Sequence, residues 1–430
     1  MEISRVNDYI AEGHTVSQES ERLNWPLLLL IFLLPLQNIY LGKIPSLGSG
    51  FNILNILFIF AFIRALRFRS TVFSNSINKF IVLMMLNYIL SLFVATSVRG
   101  WNPASPNILK DIFFAYLMFF VTYKSITGLK SFYACIWASV LPLPYMFKVF
   151  YTNLSWMGFS TYTDKLRLNS GTFKGLGSNE IAAFYATYTF VLLGFALVQE
   201  DKKKKWFLYL CIAFNVYSLV YAFSRGAYLA VLLGLVVFCY FSKNMKKLLA
   251  VLTVVLLLFV FGADIFPKAV TERFDSTFAE QEERDESAES RFVLWNIAMD
   301  KFQGSPIVGV GFNNFKKMNE YGKDTHNYYV KMLAECGLVG FCALVAFLVA
   351  AYRKGLLLLR LSRDNPLYRM LGTGFLACTF AVIVGNMFGD RFTHYPLIAY
   401  FFVYLAIVVK AVDWNCDAMQ QYENTTTLNQ

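Results

Sequence analysis

Long apolar runs, separated by short polar segments, recur along the whole chain. An α-helix needs about 20 apolar residues to cross the hydrocarbon core of a membrane, and most of the runs approach that length. They predict about twelve spanning helices, at residues 25–41, 52–66, 79–96, 111–125, 131–149, 181–198, 206–223, 226–242, 248–264, 328–351, 368–388 and 395–412. We therefore expect an all-α polytopic membrane protein.

The composition agrees with burial in a lipid bilayer. Hydrophobic residues make up 57% of the 430-residue chain and charged residues only 16%, whereas a soluble domain has about 25% charged residues. The seven cysteines show no CxxC or Cys/His ligand spacing, so we expect neither a disulfide framework nor a cysteine metal site. The polar start of the chain lacks the pattern of a removable signal peptide.

The positive charges predict the orientation in the membrane. The formal net charge is +11, and Lys and Arg cluster in alternate loops, for example at residues 64–69, 202–205 and 243–247. Because such loops resist translocation, both ends of the chain, residues 1–24 and 413–430, are predicted to be cytoplasmic tails. No basic RNA-reading motif accompanies the charges, so a nucleic-acid partner is not expected.

Two segments on the outer side are too long to be turns, at residues 150–180 and 265–327. The second segment separates a first membrane part at 25–264, which contains the first segment, from a last membrane part at 328–412. Residues 265–327 are thus one large outer loop. Long structured connections of this kind are usually functional. Any chemistry is therefore expected on the outer side.

The large outer loop contains a helical stripe of aromatic and apolar residues. Phe292, Trp295, Met299 and Phe302 recur at a spacing of three to four, and the pattern ends at Gly304. The stripe predicts a short amphipathic helix that lies on the membrane surface.

Arg225 is held in an almost loopless outer turn between two predicted spans. Its planar guanidinium could bind a diphosphate bidentately at any relevant pH. The alternative is an anchor that reaches a lipid head group.

His326 lies where the large loop re-enters the membrane, with Asp324 or Thr325 predicted to cap the next helix. An imidazole near its ordinary pKa could accept a proton from a sugar hydroxyl. The alternative is an interfacial histidine that bonds to the backbone.

Weaker candidates surround these two residues. Arg291 heads the amphipathic helix, and Arg167 lies in a glycine-rich outer segment that leads through Asn179 into a span. The arginines could add charge to one anionic site, although surface arginines are usually only solvated.

Several motifs are absent from the sequence. The chain has no P-loop, HExxH, GxSxG or outer Asp-x-Asp pair. The GVGF string at residues 309–312 lacks the strand and helix of a nucleotide fingerprint. The predicted spans have few charged residues at their centres, which disfavours a proton-coupled transporter.

Four strings resemble the O-antigen ligase and O-antigen polymerase family of bacterial envelope glycosyltransferases. They are SRGAYLA, ESRFVLW, GSPIVGVGFNNF and THNYYVKMLAECGLVG, in that order around the large outer loop. The earlier RLNSGTFKGLGSNEIAAF is also similar to that family. The resemblance implies glycan transfer from undecaprenyl diphosphate to an acceptor hydroxyl, at the periplasmic face of the inner membrane and without a cofactor or essential metal.

The resemblance also implies roles for individual residues. Arg225 and Arg291 would bind and neutralise the donor diphosphate, and His326 would activate or position the acceptor hydroxyl. Arg167 would be a secondary donor contact, and Asn179 is a further candidate for substrate binding.

Three activities remain open at this point. A ligase passes a finished glycan to lipid A core, whereas a polymerase joins lipid-linked repeat units. Oligosaccharyltransferases that modify protein are further relatives with the same chemistry. We favour the ligase because one outer loop carries both Arg291 and His326. A flippase or exporter of lipid-linked sugars is the alternative of another class, and it would leave His326 without a task.

Overall fold

The computed structural model describes residues 22–37, 52–68, 75–102, 104–157, 171–173, 176–243 and 286–428. Within these ranges the regular structure is entirely helical, as predicted. The α-helices are α1 Trp25–Leu33, α2 Ile53–Leu66, α3 Ile77–Arg99, α4 Ser105–Ser125, α5 Leu129–Val140, α6 Leu143–Met157, α7 Ser178–Val198, α8 Lys202–Val220, α9 Arg225–Phe241, α10 Glu286–Gly304, α11 Phe315–Met318, α12 Tyr328–Leu361, α13 Pro366–Gly385 and α14 Tyr395–Leu428.

Six stretches in the described part of the chain are long and apolar enough to cross a membrane. They are Ile77–Arg99, Leu129–Trp156, Ser178–Val198, Tyr328–Leu361, Pro366–Gly385 and Tyr395–Gln420. Shorter apolar helices occupy three more of the predicted spans. The protein thus has multiple membrane-spanning helices, and the count of twelve stays a prediction, since the span at 248–264 lies outside the described residues.

Prolines change the helices at two predicted spans. The span predicted at 131–149 is divided into α5 and α6 by a turn at Leu141 and Pro142. Proline lacks an N–H group, and its ring collides with the carbonyl four residues earlier, so a regular helix is interrupted there. At the end of α1, Pro35 lies in the 3-10 turn Leu34–Leu36.

The last helix forms the centre of the bundle. Every residue of α14 from Leu397 to Val412 is buried, including Lys410. A helix that is apolar on all sides is stable only inside a protein or a membrane. The helix continues to Leu428, so most of the segment predicted as a C-terminal tail is helical, because no proline or glycine interrupts it.

Helices α7 and α13 approach each other closely through glycine. A side chain at Gly374 would lie 2.5 Å from the carbonyl oxygen of Phe190, and one at Gly194 would collide with the carbonyl of Met370. Small residues at helix contacts allow this approach within a membrane. The pair places the start of α7 beside the end of α13.

Segments predicted on one side of the membrane lie at the same end of the bundle. At one end, Asp413 accepts hydrogen bonds from Tyr123 at 2.5 Å and from Asn75 at 3.0 Å, and all three are predicted to be near the cytoplasm. At the other end, the N–H of Tyr328 donates to the carbonyl oxygen of Asn386 at 2.9 Å, joining two predicted outer segments. This grouping agrees with the predicted alternation.

Helix α12 is broken at Gly337, which has a left-handed φ of 62°. The segment at 306–311 lies along the break. The N–H of Leu338 donates to the carbonyl of Pro306 at 2.8 Å, and the N–H of Val310 donates to that of Ala334, also at 2.8 Å. These bonds satisfy backbone groups that the break would leave unpaired inside the bundle. The first half of α12 is thereby fixed in place.

We expect Gly337→Ala to destabilise the protein strongly. The positive φ disfavours alanine, and the added Cβ would collide with the backbone of Ile307 and Val308. The cost should be about 2 kcal/mol or more, seen as a lower thermal unfolding temperature in detergent. Gly304→Ala is the control, because no heavy atom lies within 4 Å of its Cβ position. Equal unfolding temperatures for the two variants would contradict the role given to the break.

Candidate functional site

Helix α10 brings Arg291 to His326. The helix ends at Gly304, as predicted, and Leu294 and Ala298 pack it against the first half of α12, while Phe292 stays 54% exposed. The indole N–H of Trp295, one turn after Arg291, donates to the carbonyl of Thr325 at 2.8 Å. Arg291 is therefore close enough to influence the ionisation of His326.

His326 lies in a tight turn directly before α12, with a left-handed φ of 52°. The prediction that Asp324 or Thr325 caps this helix is wrong. The cap is Asn327, whose side chain accepts from the N–H groups of Tyr329 and Val330. A cap must directly precede the first helical residue, which is Tyr328.

The imidazole of His326 is exposed, so a substrate can reach it. The surrounding protein nevertheless disfavours the imidazolium and lowers the pKa of His326 below the ordinary value. The carboxylates of Asp390 and Asp324 oppose this shift of the pKa, whereas the charges of Arg291 and Arg391 add to it. At neutral pH the ring is therefore mainly uncharged and able to accept a proton.

A buried lysine joins the turn that contains His326 to the segment between α13 and α14. The Lys331 ammonium lies 2.6 Å from the carboxylate of Asp324 and 3.7 Å from that of Asp390. Burial alone would raise the pKa of Asp390, but Lys331, His394, Arg391 and His326 together hold it well below its usual range. Asp390 is therefore ionised at physiological pH.

The same segment contains a second histidine. Burial lowers the pKa of His394, and this effect outweighs the opposing charges of Asp390 and Glu180. Its ring is therefore mainly neutral at pH 7. The segment is fixed by Asn386, whose side-chain oxygen accepts from the N–H of Phe392 at 3.0 Å.

An ion pair ties this segment to the start of α7. The guanidinium of Arg391 contacts the carboxylate of Glu180, and both side chains are largely buried. The other carboxylate oxygen of Glu180 accepts from the N–H of Gly177 at 2.8 Å. The pair joins residues that are 211 positions apart in the chain.

A narrow cleft lies between the starts of α7 and α9, the end of α13 and the segment that follows it. Its lining includes Asn179, Asn386, Arg391 and both sequence neighbours of Arg225. Arg225 is the first residue of α9 and is half-buried. Asn179 therefore lines the cleft, and Arg225 lies between two residues that line it.

The structure thus groups the predicted site residues in two adjoining places. Arg291 and His326 lie together, Asn179 and Arg225 flank the cleft, and Arg391 both lines the cleft and influences His326. Arg167 lies outside the described residues. Within the described part of the chain, no group of three or more His, Cys, Asp or Glu side chains is arranged to hold a metal ion.

Sequence reasoning missed the polar residues between α13 and α14. Asp390, Arg391 and His394 lie in GDRFTH, which the apolar pattern treats only as a turn between the last two spans. The signal was present, because an acid, an arginine and one of only three histidines occur there within a few residues. Two partners, Glu180 and Lys331, lie in the first turns of helices.

Comparison with known proteins gives a family match and a distant relative. Residues 208–345 match the model of the O-antigen ligase family, and this range contains Arg225, Arg291 and His326. An uncharacterised protein of Haemophilus influenzae is 25% identical over 191 residues, which cover 39% of this chain and 48% of that protein. The chain thus spans about half the length of that relative. The resemblance seen in the sequence is confirmed over the matched range, where residues 208–345 are similar to the O-antigen ligase family.

Proposed function

We propose that this protein is a glycosyltransferase of the bacterial inner membrane, with its active site at the periplasmic face. It would move a glycan from undecaprenyl diphosphate to an acceptor hydroxyl, as an O-antigen ligase does with lipid A core. The family match over residues 208–345 carries the proposal, because it includes Arg225, Arg291 and His326. The location of these residues at one end of the bundle supports it.

The donor presents a diphosphate that must leave with additional negative charge. A guanidinium can bind two phosphate oxygens at once, and fixed cations stabilise charge that develops in the transition state. Arg225 at the cleft and Arg291 beside His326 are suited to this task. Since they can supply the stabilisation, we propose a reaction that needs no metal.

The acceptor hydroxyl must lose its proton during transfer. Its oxygen attacks the anomeric carbon, the bond from that carbon to the diphosphate oxygen breaks, and the diphosphate leaves with the electron pair. His326 is exposed and mainly neutral at pH 7, so it can take the proton.

The bilayer delivers the donor from the side. Exposed apolar side chains lie around the sides of the helix bundle, for example Phe60 on α2 and Phe93 on α3. Such surfaces are expected to contact lipid chains. A polyprenyl chain can therefore remain in the bilayer while its diphosphate reaches the cleft.

An in vitro transfer assay tests the proposal. Purified protein is mixed with undecaprenyl-diphosphate-linked glycan and lipid A core in the presence of EDTA. We expect glycan on the lipid A core with wild type, and a loss of about 100-fold or more in Arg225→Ala and His326→Ala. Arg363→Ala, an exposed arginine outside the site, is the control and should retain activity.

Other products would replace the proposal by a related one. Longer lipid-linked chains would identify a polymerase. Movement of the lipid-linked donor across a vesicle membrane, without any transfer product, would favour a flippase and would leave the role of His326 unsupported.

The rate should depend on pH through His326. The pKa of His326 is lowered from the ordinary value near 6.5. The neutral ring therefore predominates down to the lowered pKa and is lost as the pH falls through it. We expect kcat/KM to decline in acid with a midpoint below about 6.5. The decline should be absent from the residual activity of His326→Ala. An unchanged decline in that variant would assign it to another group, such as His394.

A further inference from the structure

Arg391 is a cation at the cleft that lies outside the range matched by the family. It is nine-tenths buried and shares the lining of the cleft with Asn179 and the neighbours of Arg225. A buried guanidinium is a poor source of stability, because burial costs about as much as pairing gains. The location of Arg391 at the cleft therefore suggests a role in ligand binding.

Three features of the chain hold this guanidinium in place. Glu180 pairs with its Nη1 atom and is itself fixed by the N–H of Gly177. A side chain at Gly389 would lie 2.5 Å from Cζ of Arg391, so the guanidinium lies over the space that glycine leaves. In addition, Phe388 packs against Gly226 and ties the segment to the start of α9.

The hydrogen bonds of Arg391 leave several of its N–H groups available to a ligand. Within the described residues, Arg391 donates through Nη1 to Glu180, and its remaining N–H groups have no other acceptor there. A guanidinium whose charge is balanced by a carboxylate still offers these donors in fixed directions. Such a group suits a phosphate oxygen that arrives in the cleft.

We propose that Arg391 is a third donor-binding arginine and that Glu180 is its positioning residue. The proposal rests on the proposed function, in which the cleft receives the lipid-linked diphosphate. Because Glu180 neutralises the pair, Arg391 contributes directed hydrogen bonds and little net charge. It therefore binds the diphosphate about equally in the ground state and the transition state, and its loss raises KM and leaves kcat nearly unchanged.

The test compares KM and kcat for the lipid-linked donor in the full chain. Arg391→Lys should raise KM about tenfold, with kcat within about twofold of wild type. Glu180→Gln should shift KM in the same direction by a smaller factor. Arg363→Lys is the matched control and should leave both constants unchanged.

A charge swap separates binding from a purely structural pair. Glu180→Arg combined with Arg391→Glu retains an ion pair and should recover thermal stability relative to either single charge reversal. It should still show a raised KM, because a carboxylate then replaces the guanidinium. A swap that recovers both stability and KM would overturn the proposal. A normal KM in stable Arg391→Lys would overturn it as well.

Two further measurements keep the test decisive. If Arg391→Lys does not fold, Gly389→Ala displaces the guanidinium without removing it, and the same rise in KM is expected. If wild type transfers no glycan, the proposed function fails, and direct binding of undecaprenyl diphosphate then tests Arg391 alone. Binding about tenfold weaker in Arg391→Lys supports its role, whereas equal binding overturns it.

Discussion

Lys331 holds two carboxylates, those of Asp324 and Asp390, and one end of the bundle is arranged around this contact. Removing one partner of a buried charge group leaves an uncompensated charge, which is strongly unfavourable. The lysine therefore requires the turn before α12 and the segment after α13 to lie together. His326 lies within that turn, so its position depends on the same charges.

The scaffold keeps this arrangement in place at the end of the membrane bundle. The break at Gly337 and the segment at 306–311 fix the first half of α12, which carries Lys331. The ion pair between Glu180 and Arg391 then connects the same charges to α7. Glycine contacts between α7 and α13 bring the two walls of the cleft together. Polar groups from distant parts of the chain can thus share a small, mostly buried space.

Much of this architecture can be predicted from the sequence, since apolar runs locate the helices. The sequence also singles out Arg225, Asn179, Arg291 and His326 as candidates, because each lies near the predicted outer end of a span or in the predicted outer loop, and their roles stay predictions. The division at Pro142 was missed because hydropathy does not register the loss of an N–H group.

Other features depend on contacts that no local pattern contains. The pairing of Glu180 with Arg391 joins residues that are 211 positions apart, and the pairing of Lys331 with Asp390 joins two predicted outer segments. The cap at Asn327 depends on where α12 begins, which spacing alone places only within a few residues. The pattern of apolar runs therefore predicts the helices, whereas the charge network can be identified only from the three-dimensional structure.

The most direct test of the central claim is a cryo-electron microscopy structure of the full chain in lipid nanodiscs with undecaprenyl diphosphate. We predict the diphosphate in the cleft beside Arg225 and Arg391, with the lipid chain leaving toward the bilayer. Diphosphate at the opposite end of the bundle, near Asp413, would contradict the account.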